Sequence, residues 1–264
     1  MNCLRIASAL LALMVAGGSA RLSGQTTDVK PMAADAHPSF EVAAITHSDP
    51  DDGSRGFHTS GRNIFIENET VNDLISFAYG VHVKQIVDGP AWFGSERFDI
   101  KGFPDVEGEP AVAQYRGMVS KLLTERFHLQ FQRGEREMPR YTLTVAKGGP
   151  KMEATKSAPE DGLPDQTGSI DGGHVFWRFT NNSMPEFADF LQGVLDRPVV
   201  DETGLKGKFD FKLQWTAGLQ ATTDPSAAPG FFTAIQEQTG LKVAPSKGEV
   251  EVLAITHAEQ PSPN

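Results

Sequence analysis

Two aspartates are the first candidates for chemistry: Asp88 in "IVDGPAW" and Asp201 in "VVDETGL", each following two β-branched residues. Paired carboxylates brought close together cannot both ionise cheaply, so one keeps a proton and the pair can activate water, as in aspartic proteases. Such enzymes place a small hydroxyl residue and a glycine straight after each aspartate. Here Asp88 is followed by Gly89-Pro90, and Asp201 by Glu202-Thr203-Gly204. That context equally fits aspartates that end a strand and accept turn amides.

Other chemistries find less. The histidines His37, His47, His58, His82, His128, His174 and His257 form no HxH or HExxH arrangement, so no metal site is legible. Asp49, Asp51 and Asp52 lack the spacing and closing glutamate of a calcium loop. No GxSxG, SxxK or Gly-rich phosphate loop is present, and His58 with Ser60 in "GFHTSGR" has no third partner. No cofactor is implied. The candidate ligand contacts are Tyr79, at the end of a helix, and Trp92 and Phe93, on a loop after Gly89-Pro90, although rings there also pack beneath loops.

Helical periodicity predicts four helices. One starts at Thr70 with a Thr70/Asp73 capping pair and ends at Gly80. The second covers about 112–126. The third starts at Ser183 with Glu186 as its capping partner, and the fourth is a short one carrying Phe231, Phe232 and Ile235. Each is followed by two strands: "HVKQIVD" and "RFDIKG", "FHLQFQR" and "RYTLTVAK", "RPVVD" and "KFDFKLQW", "LKVAP" and "VEVLAITH". The second pair is joined through Gly134. The expected class is therefore α+β, on antiparallel or mixed sheets.

The four units fall into two similar pairs. Asn68, Thr70, Val87 and Asp88 match Asn181, Ser183, Val200 and Asp201, each 113 positions on, and "RFDIK" (97–101) matches "KFDFK" (208–212). An internal duplication is expected, with halves at 38–148 and 172–258 and a linker or surface excursion at 149–171. "EVAAITH" (41–47) and "EVLAITH" (251–257) share six of seven letters, so the two terminal strands are expected in equivalent sheet positions or close together. The sequons "NET" (68–70) and "NNS" (181–183) coincide with the matched helix starts and are read as caps.

The first 20 residues, with Arg5 before an apolar run from Ile6 to Val15 and small residues at Gly18 and Ala20, read as a secretory signal peptide. A flexible leader, 21–38, and a tail, 259–264, bracket the folded region. Export to the periplasm or beyond is the expectation, with no membrane span after signal removal. The single cysteine, Cys3, lies inside the signal, so the mature chain has no disulfide and no thiolate. A formal net charge of −10 argues against nucleic-acid binding. The basic run Lys121, Arg126, Arg133, Arg136 and Arg140 is interleaved with Glu125, Glu135 and Glu137 and reads as a solvated face.

On "FEVAAITHSDP", "LISFAYGV", "GPAWFGSERFDI", "LLTERFHLQFQRGEREMPRYTLTVAKGGPKM", "RPVVDETGLKGKFDFKLQW" and "IQEQTGLKVAPSKGEVEVLAITHAEQPS", the chain resembles a soil-associated exported family of unknown function, expanded in acidobacteria (Solibacter-type). The resemblance covers nearly all of residues 39–262 and brings no catalytic residues with it. Related domains fused behind membrane-bound peptidase-like sensors imply a sensing or binding role. The helix-then-two-strands repeat also resembles the short N-terminal modules of secretins and TonB-dependent receptors, which is a likeness of fold alone. The expected function is a non-enzymatic module that binds a protein or small-molecule ligand at the cell envelope. A hydrolase using Asp88 and Asp201, or a self-assembling structural module, stands as the alternative.

Overall fold

A computed structural model describes residues 32–49, 54–60, 63–156, 165–217 and 228–262. The expected signal peptide, residues 21–31 of the leader, and Asp51 and Asp52 lie outside them. The chain is α+β, with twelve strands and four α-helices among the described residues. It divides into two compact units. The N-terminal unit holds residues up to 134 together with 252–262, and the C-terminal unit holds 135–251.

In the N-terminal unit, β1 (Phe40–His47), β2 (Gly56–Ser60), β3 (Asn63–Thr70) and β5 (Arg97–Pro104) form an antiparallel sheet in the order β1-β5-β3-β2. α1 (Val71–Tyr79) follows β3 directly. Thr70 accepts the Asp73 amide and Asp73 accepts the Thr70 amide, a reciprocal cap that satisfies two free donors of the first turn. Gly80, at φ 64°, ends the helix in the left-handed conformation that only glycine adopts without cost. α1 packs on α2 (Val112–Arg126), whose buried face carries Tyr115, Met118, Val119, Leu122 and Leu123. Residues 32–38, expected within a flexible leader, are held on α2. Met32 is buried, Gln114 donates to the Ala33 and Ala36 carbonyls, and Lys121 donates to the His37 and Pro38 carbonyls.

The expected strand from His82 to Asp88 is shorter. Val83–Gln85 is a 3-10 turn, because the His82 ring accepts the Lys84 amide and the Gln85 side chain accepts the His82 amide. Only β4 (Ile86–Val87) remains, and it runs parallel to residues 253–254 of β12 (Leu241–His257).

In the C-terminal unit, β7 (Glu153–Ala154), β8 (Asp165–Asp171), β9 (His174–Asn182) and β11 (Phe209–Thr216) form a second antiparallel sheet, ordered β7-β11-β9-β8. The stretch 149–171 therefore contains two strands. α3 (Met184–Val194) follows β9 directly, and Ser183 and Glu186 repeat the reciprocal cap. β10 (Val199–Asp201) runs parallel to residues 141–143 of β6 (Gln130–Val145). α4 (Phe231–Ala234) continues into a π turn at Ile235–Thr239. The buried face of this sheet is aromatic. Phe179 stacks on Phe211 at 4.6 Å and meets Phe190 and Phe187 edge-on, a dense contact set for flat rings.

The second and fourth expected strand pairs are each one long strand, β6 and β12. Gly134, read as the join of the second pair, and Gly248 lie inside them, and neither has a positive φ. The two near-identical heptapeptides neither occupy equivalent sheet positions nor pair with each other, although Ile45 of the first and Leu253 and Ile255 of the second share one core. β1 is an edge strand paired antiparallel with β5, whereas β12 lies between two neighbours in a different sheet. By sheet order, the counterpart of β1 is β7.

Matched details recur in both units. Asn68 and Asn181 adopt φ of 54° and 56°, each within a strand irregularity just before a helix. Asp99 accepts the Asn68 amide at 2.8 Å, and Asp210 accepts the Asn181 amide at 2.7 Å. The carboxylate holds the turned amide and compensates the left-handed backbone.

Candidate functional site

Asp88 and Asp201 lie in different units. Asp88 is exposed just after β4, at φ 61°, where the chain turns into Gly89-Pro90. Asp201 ends β10, half-buried, and accepts the Thr203 amide at 2.9 Å, a local turn of the kind aspartate favours. The aromatic candidates belong to the N-terminal unit's core or its border. Phe93 is buried. Trp92 packs edge-on against Phe93 at 4.8 Å, and Tyr79 lies edge-on to Phe131 while its hydroxyl accepts from Ser120. The 3-10 turn at Ala91–Gly94 folds the Phe93 ring inward and leaves Trp92 half-buried.

The histidines are dispersed. His47 lies 3.3 Å from Glu96, His257 lies 2.9 Å from Glu259, and His58 stacks on Phe65. Among the described residues no group of three or more His, Asp and Glu side chains is arranged to hold a metal ion.

Two places break the usual rules of burial and charge. The first is the corner where β3 meets α1. Glu69 is fully buried, and its Oε1 has no hydrogen-bond partner among the described residues. Its Oε2 accepts from the Arg55 guanidinium at 3.2 Å, and the same Arg55 Nη2 reaches Asp73 at 2.9 Å. Burial, reinforced by the nearby Asp73 charge and opposed by Arg55, raises the Glu69 pKa to about 8. The corner thus keeps a carboxyl protonated at neutral pH, but its zero exposure leaves no path for a substrate. The fold does not require this arrangement. At the matching corner of the C-terminal unit stand Gln166, Asn182 and Glu186, with the Gln166 amide donating to Asn182 at 2.7 Å.

The second place is the open face of the β8-β9-β11 sheet. Val175, Trp177 and Phe179 of β9 point to the core, so Phe176 and Arg178 point the other way. The register sets Arg178 directly opposite Lys212 on one side and Thr167 on the other. It sets Phe176 between Ser169 and Gln214. Arg178, Lys212, Thr167, Ser169 and Gln214 are exposed, and Phe176 is half-buried. Among the described residues none of these five polar side chains makes a hydrogen bond or ion pair. Two like charges directly opposite on neighbouring strands repel. In the N-terminal sheet the corresponding pair is Phe65 opposite Lys101, so two facing cations are not a requirement of the architecture.

The sequence pointed to neither place. Glu69 drew notice only within a sequon, and Arg178 and Lys212 become neighbours only through strand register. The alternation of "HVFWRFT" was the available signal, since it places Phe176 and Arg178 on one face.

No helix among the described residues is long and apolar enough to cross a membrane. No curated protein and no solved structure matches the chain. A family model does match, over residues 72–258, and that range takes in the whole open face while Arg55 and Glu69 precede it. With most of its length inside that match, the protein belongs to the family described as "Protein of unknown function (DUF3738)".

Proposed function

We propose that the protein is a non-catalytic binding module, working outside the cytoplasm, that takes an acidic polymer on the open face of its C-terminal sheet. The carrying observation is the facing pair Arg178 and Lys212, unpartnered among the described residues, on an otherwise acidic chain. An anionic group seated between them turns a repulsive pair into two charge-assisted hydrogen bonds. Support for the location comes from the signal-like first 20 residues and the likeness to a soil-associated exported family. The matched caps, the Asn–Asp contacts and the sheet orders support descent by internal duplication, with the cationic pair acquired in one copy.

The test is a binding titration of the purified protein with dextran sulfate at low and raised salt, beside the double variant R178Q/K212Q. The wild type is expected to bind, to weaken as salt screens the charges, and to lose about tenfold or more in affinity in the double variant. Equal binding by both proteins, or no binding by the wild type, overturns the proposal.

A further inference from the structure

The open face is more than a pair of charges. Its register lays out a grid of two rows and three columns, Ser169–Phe176–Gln214 above Thr167–Arg178–Lys212. Columns are separated by the strand spacing of about 4.8 Å, and rows by two residues, about 6.7 Å. In the upper row an aromatic side chain lies between a hydroxyl and an amide. In the lower row two cations lie beside a second hydroxyl. Beyond the upper row the hairpin closes with Asp171 opposite His174.

Phe176 makes no ring contact with another aromatic side chain among the described residues, unlike its neighbours Trp177 and Phe179 on the core face. A half-exposed ring flanked by unused hydrogen-bonding groups suits a ligand that is itself a ring, apolar on its faces and hydroxylated at its edge. The cations one row away suit a carboxylate carried by that ring or by the next in a chain. An acidic polypeptide would satisfy Arg178 and Lys212 equally well but would leave Phe176, Ser169 and Gln214 without a role.

We infer that the open face of the β8-β9-β11 sheet binds an acidic polysaccharide. A sugar ring lies over Phe176, its hydroxyls meet Ser169 and Gln214, and its carboxylates meet Arg178 and Lys212. The inference rests on the acidic-polymer proposal above and names the class of polymer.

The experiment titrates the full chain with polygalacturonate, with polyglutamate matched in charge, and with uncharged dextran. Wild type, Phe176→Ser and S169A/Q214A are compared, with folding of each variant confirmed by circular dichroism. Polygalacturonate is expected to bind about tenfold more tightly than polyglutamate, and dextran weakly or not at all. Both variants should lose that preference, their affinity for polygalacturonate falling about tenfold, toward that for polyglutamate. Equal affinity for the two acidic polymers, or a preference unaffected by both variants, overturns the sugar assignment and leaves the acidic-polymer proposal standing. Failure to bind either acidic polymer overturns both.

Discussion

Replacing Glu69 with glutamine tests the buried corner, because glutamine resembles the protonated acid in shape and cannot release a proton. In the folded chain the Glu69 pKa is raised to about 8, against an ordinary value of 4.5. Between these two values the folded state holds a proton that the unfolded state has lost. Glu69 therefore contributes its full share of stability below the ordinary value, and that share shrinks as pH rises toward 8. The slope is about −1.4 kcal/mol per pH unit, or about 2.7 kcal/mol lost between pH 5.5 and 7.5. Urea unfolding followed by circular dichroism at pH 5.5, 6.5 and 7.5 measures it. Every other ionisable group is common to both proteins, so the difference between the two pH profiles isolates Glu69. The wild type should fall relative to E69Q by a few kcal/mol over that range. Parallel profiles would show that Glu69 is ionised when folded and that Arg55 outweighs burial.

Two further perturbations probe the packing. Gly168→Ala places a methyl group against the Trp177 indole and 2.7 Å from the Phe176 carbonyl, so thermal unfolding should show a loss of about 1–3 kcal/mol; an unchanged melting temperature would mean that Trp177 can move aside. Asp99→Ala and Asp210→Ala each remove the acceptor for a left-handed asparagine amide, and each should cost about 1–3 kcal/mol by urea unfolding. A large loss for one and none for the other would undo the equivalence of the two sites.

Local chemistry made the helices legible. Thr70 with Asp73, and Ser183 with Glu186, state a helix start within four residues, and Gly80 states an end, because each motif satisfies backbone groups nearby. The strands were less legible. β3, "NIFIENET", and β8, "DQTGSID", are polar enough to read as loop and are strands because partners on either side or beneath supply the pairing. Gly134 and Gly248 signal turns in isolation, yet β6 and β12 continue through them. At Gly248 the space a side chain would take is filled by the Arg140 guanidinium. Phe93 turns inward for the same reason: a ring next to Gly89-Pro90 can turn in or out, and only the core decides. The open face shows the reverse case. Phe176 and Arg178 were readable as a pair on one strand, but Lys212 joins them through a register that pairs residues 34 positions apart.

The long strand β12 carries a consequence for how the chain is made. Leu253 and Ile255 sit in the same core as Ile45, Phe98 and Leu122, and residue 253 also pairs with β4. The N-terminal unit is thus missing part of its interior until residues 252–255, which follow the whole C-terminal unit in the chain, have left the ribosome. Order of synthesis therefore cannot be order of completion.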